Sequence, residues 1–276
     1  AQAAFRSATR LLSTLEHPNL ERVLRLFDAN GTPCCLLAAP RGASLAEHLR
    51  NHGALDPDTT RSVMSGVAAA LEVIHDHGLL HLAVTPENVF LPDDGQVVLR
   101  SFHGAIRQGV DSVVADHAVA YLPPEVTRGT GALGPASDIY SFCALAYHCQ
   151  TGQAPITAQD RLSAEQAGEP DPLETVASQL DTGSLGGLGD AIDLGLRLNP
   201  TDRPASIADW RQSFESIDWR RRVAVSRPPE ADRERREWLS PMLLGALFSI
   251  LAAIVIYLLI LHEPASESPV TPIEDT

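Results

Sequence analysis

Apolar residues recur at Val63, Val67, Leu71 and Ile74, a spacing that gathers them on one face of a helix over Asp56–His75. Upstream, the runs Leu20–Phe27 and Pro33–Ala39 flank Asp28-Ala29-Asn30-Gly31, whose Asn-Gly pair predicts a tight hairpin. Val89-Phe90-Leu91 and Val97-Val98-Leu99 flank Asp94-Gly95 and predict a second one. The pattern changes near the C-terminus. Leu239–Leu261 holds 23 residues without a charge, more than the roughly 20 needed to cross a bilayer core, and a globular helix rarely lacks a polar face over that length. Trp238 and Tyr257 lie towards its ends, as interfacial aromatics do. A single membrane span is predicted.

Charge gives that span a direction. Arg220, Arg221, Arg222, Arg227, Arg233, Arg235 and Arg236 precede it and no basic residue follows; the positive-inside rule then puts the N-terminal part in the cytoplasm and Glu263–Thr276 outside. Val223–Ala231 reads as a linker, and Glu230, Asp232, Glu234 and Glu237 dilute any lipid attraction of its arginines. The outer tail is too short and polar to fold alone. A net charge of −14 argues against a nucleic-acid partner. No signal peptide is expected, since the first residues are polar rather than an apolar run. All 21 basic residues counted as Lys+Arg are arginine, so no lysine is present to hold a phosphate.

His81-Leu82-Ala83-Val84-Thr85-Pro86-Glu87-Asn88 resembles the catalytic loop of a protein kinase, H-R-D-L-K-P-E-N. Other landmarks follow in family order. Phe5–Asn19 is similar to the end of the kinase C-helix with its His-Pro-Asn turn, and Leu20–Ala39 to the fourth and fifth strands of the small lobe. Ser101-Phe102-His103 stands where the family has D-F-G, Tyr121-Leu122-Pro123-Pro124-Glu125 resembles the A-P-E element, and Ser137-Asp138-Ile139-Tyr140-Ser141 the start of the central buried helix. Asn199-Pro200-Thr201-Asp202-Arg203-Pro204 is similar to the late arginine element. The resemblance implies a buried Glu125–Arg203 ion pair, and Asp138 holding the backbone around His81.

The same resemblance exposes what is missing. Phosphoryl transfer needs a glycine loop, a lysine on the phosphates, an acidic magnesium ligand and an aspartate on the acceptor hydroxyl. The glycine loop and lysine strand would precede Ala1. The acceptor aspartate falls on Ala83, the loop lysine on Thr85, the metal aspartate on Ser101, the final glycine of D-F-G on His103, the C-helix glutamate on Ser7 and the substrate-segment threonine on Ala118. His81 is retained, and Asn88 is retained as a metal ligand. One neutral amide is a poor substitute for the charged oxygens a hard dication requires. No cofactor and no metal are therefore expected.

Three other patterns carry less. Gly129–Gly134 satisfies G-x-G-x-x-G but lacks the preceding strand that a phosphate loop needs, and Gly183–Gly189 fails the same test and reads as a loop before a helix. His75, His77 and His81 have no metal-ligand spacing, and the kinase alignment gives them helix-end and loop places. Cys34 and Cys35 are adjacent on a strand, where a mutual disulfide is strained, and Cys143 and Cys149 sit six residues apart on one helix. Buried thiols in a reducing compartment are expected.

These readings combine into an α+β, protein-kinase-like chain. Residues 1–40 form a truncated small lobe of C-helix and hairpin, 41–217 a mainly helical large lobe, 218–237 a juxtamembrane linker, 238–261 the span and 262–276 an outer tail. The expected function is a pseudokinase at the inner, cytoplasmic membrane that binds a protein partner as scaffold, regulator or accessory subunit. PPE in place of APE, and a kinase domain followed by linker and span, resemble bacterial receptor-type Ser/Thr kinases. The competing reading is a Ser/Thr kinase whose glycine loop and lysine strand lie upstream. The hairpin is expected to leave an unpaired edge and apolar side chains at Leu24, Leu26, Leu36 and Leu37, to be covered by a partner, a second copy or upstream residues.

Overall fold

A computed structural model describes residues 10–30, 32–38, 42–92, 95–100, 116–129, 131–179 and 187–213. The expected span Leu239–Leu261, its linker and the outer tail lie outside these. Among the described residues no helix is long and apolar enough to cross a membrane.

The first hairpin forms where the Asn-Gly pair put it. β1 (Val23–Ala29) runs antiparallel to β2 (Thr32–Leu37), with Ala29 opposite Thr32. Asn30 takes the left-handed conformation, φ +51°, which asparagine tolerates better than most residues. This ribbon is a two-stranded sheet of its own. Four of its apolar side chains reach solvent: Leu24 is 46% and Leu36 52% exposed, and Leu26 and Phe27 are also exposed; Leu37, expected to be uncovered, is half-buried, and Val23 packs against the core.

The second sheet is three-stranded, in the order β3 (Gly42–Ser44), β4 (Val89–Pro92), β5 (Val98–Leu99). Between β3 and β4 lie α1 (Leu45–His52) and α2 (Pro57–Asp76). Neither β3 nor α1 was anticipated from sequence, although Ser44 and Glu47 form a capping box: the Ser44 N–H donates to Glu47 Oε2 at 2.8 Å and the Glu47 N–H to Ser44 Oγ at 3.2 Å. α2 begins as the pattern suggests. Asp56 Oδ1 accepts from the Asp58 and Thr59 N–H groups, Pro57 occupies the first turn, and Val63, Val67, Leu71 and Ile74 are fully buried. Gly66 sits where Val97 and Asn19 press on the helix, and a Cβ there would lie 2.8 Å from Val97 Cβ.

The rest is helical. A 3₁₀ turn (Asp116–Tyr121) leads to α3 (Pro124–Thr127), then α4 (Pro135–Thr151), α5 (Ala158–Ala167), α6 (Val176–Gln179), α7 (Leu188–Gly195), a 3₁₀ turn (Pro200–Asp202) and α8 (Ile207–Gln212). α4 is the axis of the core, buried almost all round and packed on α2, α7 and α8. Phe142 meets the Trp210 ring edge-on at 4.6 Å, and the Trp210 indole N–H donates to Ala191 O at 2.8 Å. A Cβ on Gly195 would fall 2.2 Å from Cys143 Sγ, so glycine sets the α4–α7 approach. Sequence placed all of Gly183–Gly189 in a loop. That is corrected at its end: Gly187 caps α7, and Leu188 and Gly189 are buried in its first turn, because the apolar face of the helix starts there.

Candidate functional site

The loop between α2 and β4 is held by one carboxylate. Asp138, in the first turn of α4, is fully buried and accepts from the backbone N–H of His81 (Oδ2, 2.7 Å) and of Leu82 (Oδ1, 2.7 Å). His75 Nε2 lies 2.9 Å from the same Oδ2. These contacts have work to do. Leu82 has φ +55°, a conformation that non-glycine residues keep only when their surroundings impose it.

His81 is fully buried, and burial pushes its pKa below the ordinary value, so the ring is neutral. The Ala83 N–H donates to His81 Nδ1 at 3.3 Å, which leaves the ring proton on Nε2, donating to Arg100 O at 3.0 Å. Asn88 closes the loop from the other side. Its Nδ2 donates to Ala83 O at 2.8 Å, its N–H to Thr85 O at 3.0 Å, and its carbonyl accepts from the Arg100 N–H at 2.7 Å. The retained His81 and Asn88 thus serve as hydrogen-bonding parts of the loop itself.

Three of the positions that the family's chemistry uses lie among the described residues. Ala83 presents a methyl group. Thr85 is 2% exposed, and its hydroxyl has no hydrogen-bond partner among the described residues, so the position of the family's lysine offers no cation. Ala118 is buried. Ser7, Ser101 and His103 lie outside the described residues. Among the described residues no group of three or more His, Cys, Asp or Glu side chains is placed to hold a metal ion.

Arg100, directly before the D-F-G position, was missed in sequence. Its Nε donates to Glu21 Oε1 at 2.8 Å, and its guanidinium lies 4.9 Å from the centre of the Phe90 ring. The Glu21 side chain is 2% exposed and that of Arg100 32%. Backbone bonds run beside this pair: Glu21 N–H to Leu99 O at 3.0 Å, Leu99 N–H to Asn19 O at 2.8 Å, and Asn19 Nδ2 to Val97 O at 2.6 Å. The segment after the His-Pro-Asn turn is thereby fastened to β5 and the loop. A lone Glu and a lone Arg 79 residues apart give no local signal that they meet.

The far anchor is fuller still. Arg203 pairs bidentately with Glu125, Nη1–Oε1 2.8 Å and Nη2–Oε2 3.0 Å, and also donates to Arg197 O, Leu198 O and Ala136 O. Ser137 Oγ donates to Glu125 Oε1, and the guanidinium lies 4.9 Å from the Tyr140 ring centre. A second buried arginine, Arg161, also escaped sequence reading. It donates to Asp171, Tyr140 Oη and Leu196 O. All four cysteines are free; burial pushes the Cys143 thiol up and the Cys149 thiol up to about 12, so neither is reactive.

A model of the protein kinase domain matches residues 2–183, more than half of the chain. The chain belongs to the protein kinase family. Among its relatives are the serine/threonine-protein kinases PknK and PknL of Mycobacterium tuberculosis. PknK is 32% identical over 236 residues, 80% of this chain and 20% of PknK. PknL is 30% identical over 225 residues, 77% of this chain and 54% of PknL. Serine/threonine-protein kinase PDK1 of Cryptococcus neoformans is 26% identical over 234 residues, 81% of this chain and 18% of that protein. The chain therefore spans from 18% to 54% of the length of these relatives. Within this kinase-family fold, Asp138 accepts from the backbone of His81 and Leu82, and Glu125 pairs with Arg203.

Proposed function

We propose that this kinase-family chain is a pseudokinase, anchored by Leu239–Leu261 with its kinase-like domain on the cytoplasmic side, that works by binding a protein partner at the membrane. The observation that carries the reading is Ala83, which offers no oxygen to an acceptor hydroxyl while its carbonyl is spent on Asn88. The serine at position 101 and the lack of any lysine point the same way.

Calorimetry with magnesium and ATP tests this directly. No binding tighter than about 100 μM, roughly −5.5 kcal/mol, is expected, and no phosphate transfer to a protein acceptor. Magnesium-dependent binding above that strength would sink the reading. The competing reading, a Ser/Thr kinase completed by a glycine loop and lysine strand upstream of Ala1, draws on the relatives, which are themselves serine/threonine-protein kinases. Transfer of labelled phosphate by a chain that includes the upstream sequence would establish it. The anchor is tested separately, by whether deleting Leu239–Leu261 releases the chain from carbonate-washed membranes.

A further inference from the structure

On α1, His48 and His52 stand one helical turn apart, the i,i+4 spacing that puts two side chains on one face. Their rings are stacked, with centroids 4.5 Å apart and planes inclined by 30°. His52 Nδ1 lies 3.1 Å from His48 O. Donation of the Nδ1 proton to that carbonyl fixes the tautomer with the lone pair on Nε2. Metal-binding histidines are commonly prepared in this way.

We infer that His48 and His52 form a two-imidazole site for one borderline transition-metal ion, such as Zn²⁺, Ni²⁺ or Cu²⁺, on the surface of α1. An ion held about 2.0–2.1 Å from each nitrogen needs the two in-plane Nε2 lone pairs to converge, so binding requires the rings to turn out of the stacked arrangement. Two ligands leave open positions for water or for a donor from another molecule. Hard cations are excluded, since Mg²⁺ and Ca²⁺ require oxygen ligands. Arg50 lies two residues from each histidine and so off their shared face. The site is remote from the chemistry of the 81–88 loop and does not depend on whether that loop is active.

The test is calorimetric titration of the untagged full chain with Ni²⁺, Zn²⁺ and Mg²⁺, together with His48→Gln and His52→Gln. One Ni²⁺ or Zn²⁺ per chain is expected, with no response to Mg²⁺ and an affinity at least about tenfold weaker in each variant. The electron paramagnetic resonance spectrum of the Cu²⁺-loaded protein should carry two imidazole nitrogens, and one in either variant. Unchanged affinity in either variant, a single nitrogen in the parent chain, or an adventitious ion only, seen as binding that survives replacement of both histidines, would overturn the site.

Discussion

The Glu125–Arg203 anchor and the β1–β2 hairpin lie at opposite extremes of the same fold. Around Arg203 the guanidinium meets a carboxylate, three carbonyl oxygens and an aromatic face, out of water. Around Leu24, Leu26, Phe27 and Leu36 there is solvent. The groups that hold the shape here, Glu125, Arg203 and Asp138, are different from the residues at the positions where the family carries its chemistry, so the fold does not depend on what stands at position 83. The hairpin follows the opposite logic, since a two-stranded ribbon is marginal in water by itself.

The largest effect that tests this contrast is at the anchor. Arg203→Ala leaves Glu125 buried without its partner, which costs about 3 to 5 kcal/mol and should lower the melting temperature of a domain this size by about 10 °C. Thermal unfolding followed by circular dichroism would show it. An unchanged curve would separate the two residues and remove the reason for treating the large lobe as the rigid half.

A pH scan tests the loop between the two regions. Burial holds the His81 pKa below its ordinary value, so the native state stays neutral where the unfolded chain takes up a proton. Stability should therefore be intact above the unfolded value of about 6.5 and fall as pH drops through it. His17, His48 and His148 are pushed in the same direction by burial, so the parent slope is a sum. Comparison with His81→Gln isolates one share: the variant should be less stable at pH 7.5 yet lose less on going to pH 5. Parallel slopes would mean that His81 does not titrate across unfolding.

The parts legible in sequence were those with local or family-specific signals. Asp56 and the apolar stripe of α2, the Asn30-Gly31 turn, and Asp138, Glu125 and Arg203 all carried such signals. The three-residue β3 has too few positions to show an alternation, and its partner β4 lies more than forty residues on. α1 had its signal in Ser44 and Glu47, which periodicity over eight residues was too short to support. Arg100 and Arg161 were silent because their partners are fixed only when the chain folds: a paired arginine reads like any surface arginine until Glu21 or Asp171 arrives beside it. Ala83 at the aspartate position could be read directly, whereas the use of Asn88 as a brace on the Ala83 carbonyl could not.

A smaller effect is expected at the clamp. Glu21→Gln, Arg100→Met and the double variant form a cycle whose coupling should be about 1 kcal/mol, because Arg100 remains partly in solvent. Additive single effects would show that the backbone bonds of Asn19, Glu21 and Leu99 hold the segment without help from the ion pair.

The smallest effect on stability should accompany the largest effect on binding. Leu26→Glu and Leu36→Glu place charge on side chains that are already in solvent, so the melting temperature should change little, within the about 0.5 kcal/mol typical of surface positions. If the hairpin is where a partner is met, these variants should lose that partner in a pull-down from detergent-solubilised membranes while remaining in the membrane fraction. An apolar surface that nothing covers would behave otherwise, with the substitutions improving solubility and every partner retained. That result would move the docking surface to the large lobe, and the exposed leucines would then have to be covered by another segment or a second copy of the chain.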